Sequence, residues 1–136
     1  MTSTVIPTLR YRDPWQMIDW LCEVVGFARH AVYEDEKGGI AHAELSLGPG
    51  LIVIGTARDD AFGKLQQPPA ALGGNSQSPY VVVPDADAVH RRAVAGGADI
   101  VVALKDESFG GRGFSFRDPE GHLWTVGTYD PWRAGA

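Results

Sequence analysis

The feature that most constrains this chain is an internal repeat with a period of 72 residues. Asp13 and Asp85 stand at that spacing, as do Leu51 and Leu123, Gly55 and Gly127, and Thr56 and Thr128. The segments LIVIGT and LWTVGT therefore occupy equivalent places in two halves. Gly26 and Gly97 fall one residue out of step, which a single deletion in a helix or its exit explains. A repeat of this length makes each half one supersecondary unit, within one compact domain or as two small halves sharing a core.

Each half reads as strand, helix, then three strands. In the first, residues 5–11 are extended, and Asp13-Pro14 supplies a helix N-cap followed by proline at the first helical position. Trp15, Ile18, Leu21, Cys22 and Val25 recur at spacings of three and four, which predicts one apolar helical stripe ending at Gly26. Strands are expected at 27–34, 40–47 and 51–56, with turns at the DEKGG stretch and at Gly48-Pro49-Gly50. The second half repeats the plan. A strand at 80–83 precedes a helix capped by Asp85, with Ala86, Val89 and Ala93 facing inward. Gly96-Gly97 stops that helix, and strands follow at 100–104, 113–117 and 122–129. Asp118-Pro119-Glu120-Gly121 is a strong turn signal. The fold class this predicts is α+β, two tandem βαβββ modules in one domain. Module one covers about 4–57 and module two about 78–130. The linker at about 58–77 exceeds ordinary loop length, which makes it a tether, a lid or a dimer arm.

Composition narrows the function. With 136 residues, 44% hydrophobic and 21% charged, the chain is that of a globular domain. The net charge of −5, without a Lys/Arg cluster, argues against nucleic acid as the partner. No apolar run approaches the roughly 18 residues of a membrane span. The opening MTSTVIPTLR lacks the basic-then-apolar layout of a signal peptide, and Cys22 is the sole cysteine, so a cytoplasmic location is expected.

The repeat, with FRDPEGHLWTVGTY at 116–129 and TLRYRDP ahead of the first helix, resembles the vicinal oxygen chelate superfamily. That group includes glyoxalase I, extradiol dioxygenases, fosfomycin-resistance enzymes and bleomycin-resistance binding proteins. The chain looks most like its glyoxalase/bleomycin resistance proteins. The resemblance implies a cup-shaped, glyoxalase-like sheet with helices outside, a small-molecule ligand inside and a homodimer. In the enzymes it implies one divalent metal held by His, Glu or Gln. The positions that correspond to those ligands carry Ile6, Val53, Pro79 and Thr125, with Ser78 or Gln77 as alternatives to Pro79. Hydrocarbon, a proline ring and a hydroxyl do not replace the hydration shell of a divalent ion. No metal and no cofactor are therefore expected, unless Gln77 or His42 supports a relocated site.

Polar groups remain as candidates. Strand alternation puts His42, Glu44 and Ser46 on one face and Ala41, Ala43, Leu45 and Leu47 on the other. A two-residue turn carried over from the second module would set His42 opposite Val53. His42 and Glu44 are a ligand-recognition pair, a metal-free acid–base pair, or two residues on a solvated face. Arg10 stands where the resemblance implies an arginine that holds an anionic part of the ligand. The alternative for it is an ion pair with Asp13 or Glu44. With Pro119-Glu120 as a two-residue turn, Phe114 would lie opposite Thr125 and wall the cup. Trp124 should be core, Cys22 an inert thiol, His90 solvated and His122 exposed. The expected ligand-binding set is Arg10, His42, Glu44, Phe114 and Thr125, with catalytic residues open. The function expected is metal-independent binding of a small molecule, as in drug-sequestering antibiotic resistance. The alternative is a lyase, isomerase or dioxygenase with a non-standard or absent metal site.

Overall fold

A computed structural model describes residues 2–133 and divides the chain into two compact units, one ending at Gly74 and the other beginning at Asn75. In the first unit the elements are β1 (Thr8–Tyr11), α1 (Pro14–Val24), β2 (Ala28–Glu34), β3 (Ile40–Leu47), β4 (Gly50–Thr56) and α2 (Pro69–Leu72). The second contains β5 (Tyr80–Val82), α3 (Ala86–Ala95), β6 (Asp99–Asp106), β7 (Arg112–Arg117) and β8 (Leu123–Gly127). Each unit has a four-stranded sheet, in the order β1-β4-β3-β2 and β5-β8-β7-β6. The first strand of each runs parallel to the last, and the other pairs are antiparallel. This is the α+β plan expected from the repeat.

The duplication extends to individual hydrogen bonds. The Asp13 carboxylate caps α1 by accepting from the Gln16 amide at 3.2 Å, and Asp85 caps α3 through the Ala88 amide at 3.1 Å. Thr56 Oγ1 accepts from the Ile40 amide at 2.8 Å, and Thr128 Oγ1 from the Arg112 amide at 2.9 Å. The repeated threonine is therefore a strand clasp, satisfying an amide where β3 or β7 begins. The one-residue slip between Gly26 and Gly97 has a direct cause, since α1 has 11 residues and α3 has 10.

Each helix covers one face of its sheet. Under α1 lie Leu9, Tyr11, Ala43, Leu45, Ile52 and Ile54, all buried. Met17, Ile18, Leu21 and Val24 pack down from the helix, each contributing about 1.5–3 kcal/mol by leaving water. This corrects the expected stripe: Trp15 and Cys22 lie at its margins, half-buried, and Trp15 Nε1 donates to the Gly38 carbonyl at 3.0 Å. In the second unit Ala86, Val89 and Ala93 of α3 face a core of Val81, Phe114, Phe116, Trp124 and Val126. The faces away from α1 and α3 carry the polar groups and the exposed rings of Tyr33 and Tyr80.

Candidate functional site

In the first sheet, alternation along β3 buries Ala43 and Leu45 and turns His42, Glu44 and Ser46 to the helix-free face. Gly48 and Pro49 make the β3–β4 turn, so Leu47 pairs with Gly50 and Glu44 with Val53. The expected pairing of His42 with Val53 is corrected, because the turn sits one position later than assumed. A shift of the pairing by two residues preserves which face each side chain takes.

On that face His42 Nε2 and Glu44 Oε2 are 2.8 Å apart. A carboxylate can only accept, so the hydrogen of this bond belongs to His42. His30 Nε2 approaches the other carboxylate oxygen, Oε1, at 3.7 Å. His30 reaches it because β2 is irregular between Arg29, opposite Leu45, and Ala31, opposite Glu44. Such a bulge re-aims one side chain. Tyr33 pairs with His42, with ring centroids 5.9 Å apart. His30 and Tyr33 were missed in the sequence, since nothing local announces a bulge in ARHAVYE.

Arg10 lies flat across the neighbouring strand. It pairs with Gly55, where a Cβ would fall 2.5 Å from Arg10 Nη1. The absence of a side chain at Gly55 is what admits the guanidinium. Arg10 Nε donates to Gln66 Oε1 at 3.3 Å, and Nη1 to the Thr56 carbonyl at 3.4 Å. Gln66 also donates to the Thr8 carbonyl at 2.8 Å, while Phe62 lies 5.5 Å from the Arg10 guanidinium and 5.7 Å from that of Arg58. Residues 58–66 of the linker are thus a folded clamp on β1. Burial, and then Arg58, lower the Arg10 pKa, with Asp60 opposing them.

In the second sheet the expectation for Phe114 is overturned. Asp118 N donates to the His122 carbonyl at 2.9 Å, so the β7–β8 loop has three residues, not two. Gly121 takes φ +88°, the left-handed residue that closes such a loop. The extra residue flips the register. Ser115 now faces Thr125, and Phe114 pairs with Val126, buried, with His90 of α3 edge-on at 4.9 Å. Phe114 is core, and His90 and His122 are both half-buried rather than solvent-exposed.

Thr125 Oγ1 and Ser115 Oγ are 2.7 Å apart on the helix-free face. Beside them Tyr80 lies over Gly127, where a Cβ would meet its hydroxyl oxygen at 2.7 Å. The Tyr80 hydroxyl donates to the Tyr129 carbonyl at 2.7 Å, and Phe109 meets the Tyr129 ring edge-on at 5.0 Å. Burial and then Glu107 raise the Tyr80 pKa, keeping the phenol protonated.

The donor set does not fit a divalent ion. Among the described residues, no three His, Cys, Asp or Glu side chains are arranged to hold one. Ile6 and Val53 carry no donor atom, the Pro79 carbonyl accepts from the Thr125 amide, Gln77 is exposed, and the Thr125 hydroxyl is engaged by Ser115.

The family model described as Glyoxalase/Bleomycin resistance protein/Dioxygenase superfamily matches residues 4–126. An uncharacterised protein of Mycobacterium bovis is 32% identical over 121 residues, covering 89% of this chain and 80% of its own length. The crystal structure of TioX from Micromonospora sp. ML1 is 34% identical with a TM-score of 0.71, covering 92% of this chain and 97% of that one. The fosfomycin resistance protein FosX from Mesorhizobium loti, 17% identical with a TM-score of 0.65 over 100% of this chain and 99% of its own, shares the fold.

Proposed function

The chain belongs to the glyoxalase/bleomycin resistance/dioxygenase superfamily, and on that footing we propose that it is a small-molecule binding protein that works without a metal. One observation carries this reading. The helix-free sheet faces present paired hydrogen-bonding groups beside exposed rings, His42 and Glu44 with Tyr33, Ser115 and Thr125 with Tyr80, where the donors suit an organic ligand and not a cation such as zinc. Arg10, held by the linker clamp, belongs to the same set. The proposal extends to sequestration of a drug-like compound in the cytoplasm by a homodimer, which sedimentation velocity would test as a dimer mass.

Calorimetry and thermal shift on chelator-stripped protein, with a panel of planar aromatic antibiotics, test the binding. Micromolar binding unchanged by added Mn, Ni or Zn is the expected result. Binding that vanishes on stripping and returns with metal would overturn it. The His42–Glu44 hydrogen bond also supports a second reading, metal-free acid–base catalysis in a lyase or isomerase. Turnover of a hemithioacetal that is lost in His42→Ala would favour that reading.

A further inference from the structure

We infer that the helix-free face around Glu44 recognises an organic cation attached to a flat ring, an amidinium or ammonium of the benzamidine kind. This rests on the binding reading above and names the class of ligand. Four aspartates outside this face, Asp19, Asp60, Asp87 and Asp99, each hold an arginine. Glu44 does not. Among the described residues its side-chain partners are His42 and His30, and its side chain is only 25% exposed. A carboxylate withdrawn from water with no Arg or Lys beside it is the group a ligand cation would satisfy most strongly.

The surroundings fit a ring attached to that cation. Oε2 is committed to His42, whereas the contact of Oε1 with His30, at 3.7 Å, is too long for a hydrogen bond and leaves that oxygen able to accept from a ligand. Glu44 stands in its cross-strand row between Ala31 and Val53, small neighbours that leave a low floor beside the carboxylate. One row along, Tyr33 is 59% exposed, an aromatic face for stacking or for a cation. The His30 bulge and the His42 bond hold Glu44 in place, which limits the ordering cost of binding.

Three isosteric probes separate charge from shape: benzamidine, benzamide and benzoate, titrated calorimetrically into the full chain. Benzamidine should bind at least tenfold more tightly than benzamide, and benzoate most weakly. Glu44→Gln should bring benzamidine down to the level of benzamide. Tyr33→Ala, at an exposed position that does not threaten folding, should weaken benzamidine several-fold. Equal binding of the three probes, an unaltered preference in Glu44→Gln, or benzoate as the tightest ligand would overturn the inference. So would stoichiometric zinc binding at this cluster that His30→Ala abolishes. If planar antibiotics bind but the probes are not discriminated, the cation class fails and the binding reading stands. If neither set binds, both fail.

Discussion

Replacing Asp118 by alanine tests the reading of the turn that sets the register of the second sheet. The Asp118 carboxylate is 4% exposed; Oδ1 accepts from the Glu120 and His122 amides, both at 3.0 Å, and Oδ2 from Trp124 Nε1 at 3.0 Å. Trp124 is wholly buried, so truncation strands its indole N–H away from water. An unsatisfied buried donor costs about 1–3 kcal/mol. The two turn amides are nearer the surface and recover part of their loss from water, so they add about 1 kcal/mol together. The sum is about 3 kcal/mol, a large part of the roughly 5–15 kcal/mol that holds a domain folded. Urea unfolding followed by far-ultraviolet circular dichroism would measure it. Trp124→Phe removes the donor, so the double variant should recover about 1–2 kcal/mol relative to additivity. A loss below about 1 kcal/mol in Asp118→Ala, or strict additivity, would refute the assignment of this carboxylate as the centre of the turn.

Further consequences can be checked separately. At Gly63 a Cβ would collide with the Arg58 carbonyl oxygen, so Gly63→Ala should open the linker clamp, cost about 2 kcal/mol and speed limited proteolysis within residues 58–66. The Tyr80 phenol has a folded-state pKa above its ordinary value, so its contribution to stability is present below about pH 10 and fades as pH rises through the folded value. Absorbance near 295 nm should show the Tyr80 phase above the ordinary tyrosine range, and Tyr80→Phe should remove it. Burial raises the Cys22 thiol pKa, Arg29 opposes it and Asp19 adds to it, so labelling by iodoacetamide at pH 8 should run slower than for a free thiol of ordinary pKa.

The sequence made the repeat, both helix caps and the succession of strand, helix and three strands in each module legible, because these rest on local chemistry repeated in two copies. Asp13 and Asp85 announce their helices, and the paired GT dipeptides mark equivalent strand ends. Register was less legible. Pro119 and Glu120 look like the centre of a two-residue turn, but Gly121 in the left-handed region adds a third residue and sends Phe114 into the core. Half of the polar cluster on the first sheet was visible by alternation, as His42 and Glu44. His30 depends on a strand irregularity and Tyr33 on long-range pairing with β3, and neither leaves a local signature. The clamp was unreadable for a similar reason, since Gln66 acquires its role only by reaching Thr8 and Arg10, far away in the chain.

Gly55 and Gly127 occupy the same notch in the two sheets, yet different groups lie across them. Arg10 comes from the strand position directly opposite its glycine, and Tyr80 from a position two residues earlier. An inherited gap has thus been filled by a guanidinium in one copy and a phenol in the other. Such a notch lets the chemistry of a recognition surface diverge through a single neighbouring side chain while the scaffold beneath stays constant, so related chains can be sorted by what they lay over it.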